Sequence, residues 1–256
     1  MTSAAIVLGS HPMTPIQEII QALRVKIRHD PAYKAFREKT TKLAVLGLRV
    51  PVIHEIVRSN FSFYQKSPRE LIAIWNRIWT SSCINEVLLI PLLYYRRHLH
   101  LLDPAHWRVL KTWINRVDNW EHADALCALY SIFFERYPRL VQPTLKEWNQ
   151  SSNAWERRAS IVSMIYYAST KRIAPTFRTV ISLIEPLIGD QDRYVQKAIG
   201  WQLRELHKLY PAQTLSLLLQ HARELSPTSF SYATERLTQK EKERIKKKRM
   251  GHHLST

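Results

Sequence analysis

Residues 119–138 read NWEHADALCALYSIFFERYP, and the way this stretch begins and ends is repeated along the chain. Asn119 has the side chain of a helix N-cap, and Glu121 and Asp124 suit the positive end of the helix that follows. Leu126, Leu129, Tyr130 and Phe133 recur at helical spacing, and Pro138 is placed to open the next helix. Trp120 and Asp124 stand four residues apart, so an indole and a carboxylate share one side of the rod.

The same punctuation recurs outward from here. Prolines that open helical patterns fall at Pro31, Pro68, Pro104, Pro138, Pro175 and Pro211, successively 37, 36, 34, 37 and 36 residues apart. A second set of starts, Asn119, Asn153, Asp190 and Ser226, is spaced 34, 37 and 36. Each unit thus contains two helices, a pattern that predicts an α-solenoid whose helix pairs bury their apolar faces by stacking on neighbours. Unit length and the absence of tetratricopeptide or ankyrin patterns favour an all-α, HEAT-like array, curved, with a basic concave face. Capping boxes at Thr14-Pro15-Ile16-Gln17 and Ser67-Pro68-Arg69-Glu70, and starts at Asp30-Pro31 and Asp103-Pro104, complete the helical reading. The last of these is expected to carry Trp107, Leu110, Trp113, Ile114 and Val117. Only 5 glycines occur and no Asn-Gly hairpin dipeptide, so strands have little support.

Composition narrows the partner. The 256 residues carry 38 Lys and Arg against 21 Asp and Glu, a formal charge of +17. Such a charge penalises compactness by self-repulsion unless a polyanion shares the site, and nucleic acid is the leading class. The 2 cysteines, Cys83 and Cys127, fall in apolar helical patterns and read as buried filler, which gives no support to a disulfide framework or a thiolate metal site. No His, Asp and Glu grouping has zinc spacing, so no metal is expected. The opening MTSAAIVLGSHP lacks the basic and apolar regions of a secretory signal, and no apolar run reaches membrane-spanning length. A soluble, intracellular monomer is expected, cytoplasmic and associated with the nucleoid if the source is a prokaryote.

Three helix starts bring the candidate chemistry together. Trp120 and Asp124 come from the first; Trp155, Arg157 and Arg158 from the second; Arg193, Tyr194, Lys197 and Trp201 from the third. Asp124 and Arg158 hold the same place counted from their starts, so a carboxylate and a guanidinium should lie on adjacent rods roughly 10 Å apart at the axes. The alternative for Arg158 is a structural partner to Asp124, and for Trp201 a place in the core. Lys240 to Arg249 form a basic run, either a solvated helix end or a nonspecific DNA arm.

Three segments, Trp120-Glu121-His122-Ala123-Asp124, Trp155-Glu156-Arg157-Arg158-Ala159 and Tyr194-Val195-Gln196-Lys197-Ala198-Ile199-Gly200-Trp201-Gln202-Leu203-Arg204-Glu205, resemble the successive motifs of the AlkD family of DNA alkylation repair glycosylases. The third is the most specific. Leu46-Gly47 followed by Pro51 resembles that family's turn between its early helices, and the likeness extends from about Lys34 to about Leu237. It implies HEAT-like repeats, no cofactor, and duplex DNA bearing alkylated purines as partner. The family's catalytic aspartate falls on Asp124, its lesion-flanking tryptophans on Trp120 and Trp201, and its adjoining arginine on Arg158. Glu121 replaces a usual aspartate, His122 is unusual there, and no arginine follows Glu86. The implied activity is hydrolysis of the N-glycosidic bond of cationic N3- and N7-alkylated purines without base flipping, with Arg158 and Lys197 on backbone phosphates and Arg157, Arg193, Tyr194 and Trp155 along the DNA face. A noncatalytic HEAT-like DNA-binding protein, or a protein-binding scaffold, is the alternative. The expected layout is a disordered tail over 1–13, one domain over 14–237 and a basic tail over 238–256.

Overall fold

The computed structural model describes residues 12–28 and 30–251. The expected disorder before residue 12 and after 251 lies outside these residues. Among the described residues the chain is all-helical, with one isolated bridge between Ala44 and Ile84 in place of a sheet. None of these helices is long and apolar enough to cross a membrane. By its internal contacts the chain divides into two compact units, residues 1–91 and 92–256.

The first unit holds α1 (Pro15–Val25), α2 (Pro31–Glu38), α3 (Val50–Val57), α4 (Pro68–Ser81) and the start of α5 (Asn85–Arg97). Its starts follow the sequence: Asp30 accepts from the Tyr33 amide, and Ser67 and Glu70 close a capping box. Between α2 and α3 the chain turns at Gly47, whose φ of +87° lies where an L side chain is strained. That turn aims three amides at one buried carboxylate: Leu46 and Gly47 donate to Glu86 at 3.0 and 2.8 Å, and Leu48 at 3.3 Å. The sequence reading of Cys83 as buried filler fails here. Cys83 is exposed, because it lies past the end of α4 in the segment whose carbonyl accepts from the Ala44 amide.

The second unit holds α6 (Pro104–Leu110), α7 (Trp120–Arg136), α8 (Pro138–Asn149), α9 (Ala154–Ile165), α10 (Phe177–Ile184), α11 (Arg193–Leu209), α12 (Pro211–Gln220), α13 (Pro227–Thr234) and α14 (Gln239–Met250). Helices α7, α9, α11 and α13 pack in succession, each against the next, while α8 and α12 back onto α7 and α11. Helix pairs therefore do stack, as the period predicts, but two starts move. Helix α10 begins after Thr176, which accepts from the Thr179 amide, rather than at Pro175. Helix α11 is capped by Asp192, which accepts from the amides of Tyr194 and Val195, while Asp190 is taken by Arg157. The helix expected through Val117 tightens into a 3₁₀ turn over Lys111–Arg116. Residues 239–250, assigned from the sequence to a basic tail, form α14 against α12, because Ile245 is fully buried there.

The core of this unit is aromatic. Trp107, Tyr130 and Trp148 meet at centroid separations of 5.3, 5.4 and 6.1 Å, and the Tyr130 hydroxyl donates to the Leu110 carbonyl. Buried Asn149 donates to Ser160 Oγ and the Leu183 carbonyl, fixing the end of α8 to α9 and α10. Helices α11 and α13 approach at Gly200, where a Cβ would lie 2.5 Å from both the Ser229 carbonyl oxygen and Tyr232 Cβ.

Two outcomes follow from these contacts. Gly200→Ala should lose about 1–3 kcal/mol through overpacking, read as a fall of several degrees in the thermal midpoint; an unchanged midpoint would show the α11–α13 approach to be looser than described. Glu86→Gln should speed amide hydrogen exchange at residues 46, 47 and 48 by at least about tenfold, since charge-assisted bonds to backbone donors contribute about 1.5–3 kcal/mol. Unaltered protection there would refute the role given to Glu86.

Candidate active site

Asn119 begins the site. Its side chain accepts from the His122 amide and caps α7, which leaves Trp120 partly exposed at 39% and sets Asp124 one turn further in. His122 itself is fully buried, its ring 3.1 Å from the Asn119 amide nitrogen, so the unusual histidine of the motif serves the cap. On α9, Arg158 reaches across: Nε and Nη2 donate to Asp124 Oδ1 at 3.0 and 2.6 Å, and Nη1 donates to the Tyr194 carbonyl at 2.6 Å. One guanidinium therefore joins α7, α9 and α11. Both of its bonds to Asp124 fall on Oδ1, and Oδ2 takes no hydrogen bond from the described residues.

The electrostatics of Asp124 are a contest. Burial of the carboxyl raises its pKa above the ordinary aspartate value, and the charge and hydrogen bonds of Arg158 oppose that without cancelling it. Because the folded pKa is raised, stability is highest with Asp124 neutral and declines as pH rises and ionises it. Desolvation likewise lowers Lys197, helped by the charges of Arg193 and Arg158.

Asp124, Arg158, Trp120, Tyr194, Lys197 and Trp201 line one cleft of about 290 Å³, together with Tyr167, Arg204 and Tyr232. Trp201 is 8% exposed, with the Arg158 guanidinium 5.7 Å from its ring and Tyr166 and Tyr167 at 5.5 and 5.2 Å. Its indole N–H is buried without a hydrogen-bond partner. Those two tyrosines sit on a turn where Tyr166 adopts φ 60° and ψ −84°, the one positive φ among described non-glycine residues. Such a backbone costs on the order of 1–3 kcal/mol and persists only where surroundings enforce it. Here Gln202 donates to the Tyr166 carbonyl, Arg96 to its hydroxyl, and buried Glu205 accepts from the Ala168 amide. Lys171, lowered to about 8 by burial, donates to the Ser131 carbonyl beside Glu135.

The remaining candidates divide. Arg158, for which the resemblance implies a phosphate, is 4% exposed, with Asp124 and the Tyr194 carbonyl as its partners. Arg157 is also committed: it pairs with Asp190 and donates to the carbonyls of Ser151 and Ser152, which fixes the loop before α9. Trp155 lies outside the cleft lining and stacks on Tyr194 at 4.7 Å. Arg193 is exposed, and Lys197 stands 6.0 Å from the Tyr194 ring at the cleft. Tyr167, Arg204 and Tyr232 were not anticipated. Tyr232 arrives through the close approach at Gly200, and Tyr167 through a turn that no sequence pattern marks. Among the described residues no group of three or more His, Cys, Asp or Glu could hold a metal ion.

Comparison with known proteins agrees on the fold. A solved structure described as a predicted DNA alkylation repair enzyme from Enterococcus faecalis superposes with a TM-score of 0.69 at 15% identity, covering 84% of this chain and 99% of that one. AlkD2 from Streptococcus mutans gives 0.56 at 17% identity, with 86% and 97% covered. Smu.31 from Streptococcus mutans UA159 gives 0.51 at 16%, with 91% and 98% covered. No curated protein matches the sequence. The family model described as DNA alkylation repair enzyme matches residues 19–237, which includes every residue of the cleft, and the chain belongs to that family.

Proposed function

We propose that the chain is a DNA glycosylase that hydrolyses the N-glycosidic bond of cationic N3- and N7-alkylated purines, such as 3-methyladenine and 7-methylguanine, in duplex DNA. The observation that carries this reading is the state of Asp124: a partly buried carboxylate held through one oxygen by Arg158, its other oxygen open to a cleft walled by indoles and phenols. An alkylated purine already bears positive charge and leaves without a general acid. The developing charge is on the sugar, as an oxocarbenium-like cation. Asp124 Oδ2 is free to face that cation and to hold or deprotonate the attacking water, while Oδ1 stays fixed. Trp120 and Trp201 present faces of negative quadrupole, each contributing about 0.5–2 kcal/mol towards a cation. Lys197 and exposed Arg193 are the cations left for flanking phosphates, which set register without reading sequence.

No general acid is needed for such a leaving group, which separates this site from carboxylate pairs that divide acid and base between them. The protein acts from the backbone side, and the cleft is walled by helix starts, the 166–167 turn and Tyr232 rather than by an inserted loop. Bulky adducts are therefore accepted, provided that they make the purine cationic. A binding-only protein would have no use for a desolvated carboxylate with one open oxygen at the cleft floor.

With duplex containing 7-methylguanine, wild type should release free base and Asp124→Asn should release it about 10²-fold or more slowly, with duplex binding retained. Binding by wild type without release would establish the noncatalytic alternative, and equal release from a neutral lesion would remove the cationic requirement. The acidic limb of the rate should lie above pH 3.8, the ordinary aspartate value. It should move to still higher pH in Arg158→Gln, because the group opposing desolvation is gone. A limb that stays in place or moves down would break the assignment to Asp124.

A further inference from the structure

Helix α14 lies outside the stretch that the family model matches, which ends at residue 237. Its sequence, QKEKERIKKKRM, divides into two faces when wound at 100° per residue. One face is anchored. Ile245 is fully buried, Lys242 donates to the Glu235 carbonyl at 3.1 Å, and Arg249 donates to the carbonyls of Ala222 and Leu225 at 2.6 and 2.7 Å with its guanidinium 4.9 Å from the Phe230 ring. The opposite face carries Lys240, Arg244, Lys247 and Lys248, related by steps of three and four residues, all exposed and none in an ion pair among the described residues, with exposed Glu243 at its edge accepting from Gln239 Nε2.

We propose that this second face is a docking surface for the phosphate backbone of duplex DNA, separate from the Asp124 cleft. The naming of DNA as the polyanion rests on the function proposed above; the existence of a polyanion surface does not. Three physical points support it. The like-charge pairs Lys240–Arg244, Arg244–Lys247 and Arg244–Lys248 destabilise the helix by a few tenths of a kcal/mol each, a cost that Glu243 offsets only beside Lys240 and Lys247 and that phosphates would relieve. Lys247 and Lys248 complement the negative helix end, but Lys240 sits in the first turn, where the helix dipole disfavours a cation, so capping does not explain the stripe. Membrane binding needs an apolar face beside the cations, whereas α14 has two apolar residues: Ile245 is turned into the protein, and the exposed Met250 stands alone at the last position of the helix. From Lys240 to Lys248 the stripe runs about 12 Å, enough for three or four phosphates of one strand at about 3.4 Å of axis each.

The helix is also joined to the cleft. Arg204, which lines the cleft, pairs with Glu235, and the Glu235 carbonyl is held by Lys242. Helix α14 is thus tied through Glu235 to a residue of the cleft, on the same compact unit.

The test is a titration of an undamaged duplex by fluorescence anisotropy between about 50 and 200 mM salt. It compares wild type, the combined variant Lys240→Gln, Arg244→Gln, Lys247→Gln and Lys248→Gln, and a charge-matched control, Arg139→Gln, Lys146→Gln, Arg172→Gln and Arg178→Gln. All eight side chains belong to exposed residues, and circular dichroism checks that the fold is retained. The α14 variant should lose about 0.9 from the log affinity against log salt slope for each contact, about 3–4 in all, while the control loses less than half as much. An unchanged slope, an equal loss in the control, or binding of wild type to phosphatidylserine vesicles as tight as to duplex would overturn the proposal. Free-base release, measured on the same proteins, keeps the two readings apart. A changed slope without release leaves the α14 surface standing and removes the glycosylase; release with an unchanged slope does the reverse.

Discussion

A single buried guanidinium organises the second unit. Arg158 is removed from water at a cost of several kcal/mol, which only a complete set of well-placed acceptors repays. It finds them on two different helices: the Asp124 carboxylate of α7 and the Tyr194 carbonyl of α11. Three helices must therefore stack in one register for the charge to be satisfied, and any slip would leave an unpaired ion in the interior. The same requirement orients the chemistry. Since both bonds fall on Oδ1, the carboxylate cannot rotate without breaking them.

The turn after α9 shows a second level of constraint. Tyr166 holds a conformation that a free chain would abandon, and its turn is held by Gln202, Arg96 and Glu205, which come from elements before and after it. What those contacts secure is the pair of phenol rings against Trp201. Strain is thus stored beside the indole whose position the proposed chemistry depends on, and the glycine one residue before that indole brings α13 close enough to add Tyr232.

These two levels were not equally legible in the sequence. Helix starts at Asn119, Asn153 and Ser226 could be read because a cap is a local matter of one side chain and one amide. Asp190 and Pro175 misled by two residues, since Asp192 and Thr176 offer equally good caps nearby and only the tertiary bond from Arg157 decides between the aspartates. The pairing of Asp124 with Arg158 was legible as equal counts from two starts. That Arg158 would also be tied to α11 was not, because the Tyr194 carbonyl is a backbone acceptor and leaves no mark on the sequence. Tyr167 and Tyr232 were hidden for a related reason: one depends on a strained φ and the other on the width of a helix contact.

The charge of +17 has a similar lesson when it is sorted by partner rather than counted. Arg157, Arg158, Lys171, Arg204 and Arg249 look from the sequence like any other cations, yet each is spent on a carboxylate or on carbonyls within the second unit. Their contribution to a long-range field survives, but they cannot reach out to a phosphate without dismantling a contact that holds the fold. Under the proposed function, phosphates would fall to cations without such ties. These include Lys197 at the cleft, exposed Arg193 one turn before it on α11, and Lys240, Arg244, Lys247 and Lys248 on one exposed stripe. For the glycosylase proposed above, that separation would serve both tasks: a cation pinned to Asp124 tunes the acid, and cations elsewhere are left for the duplex.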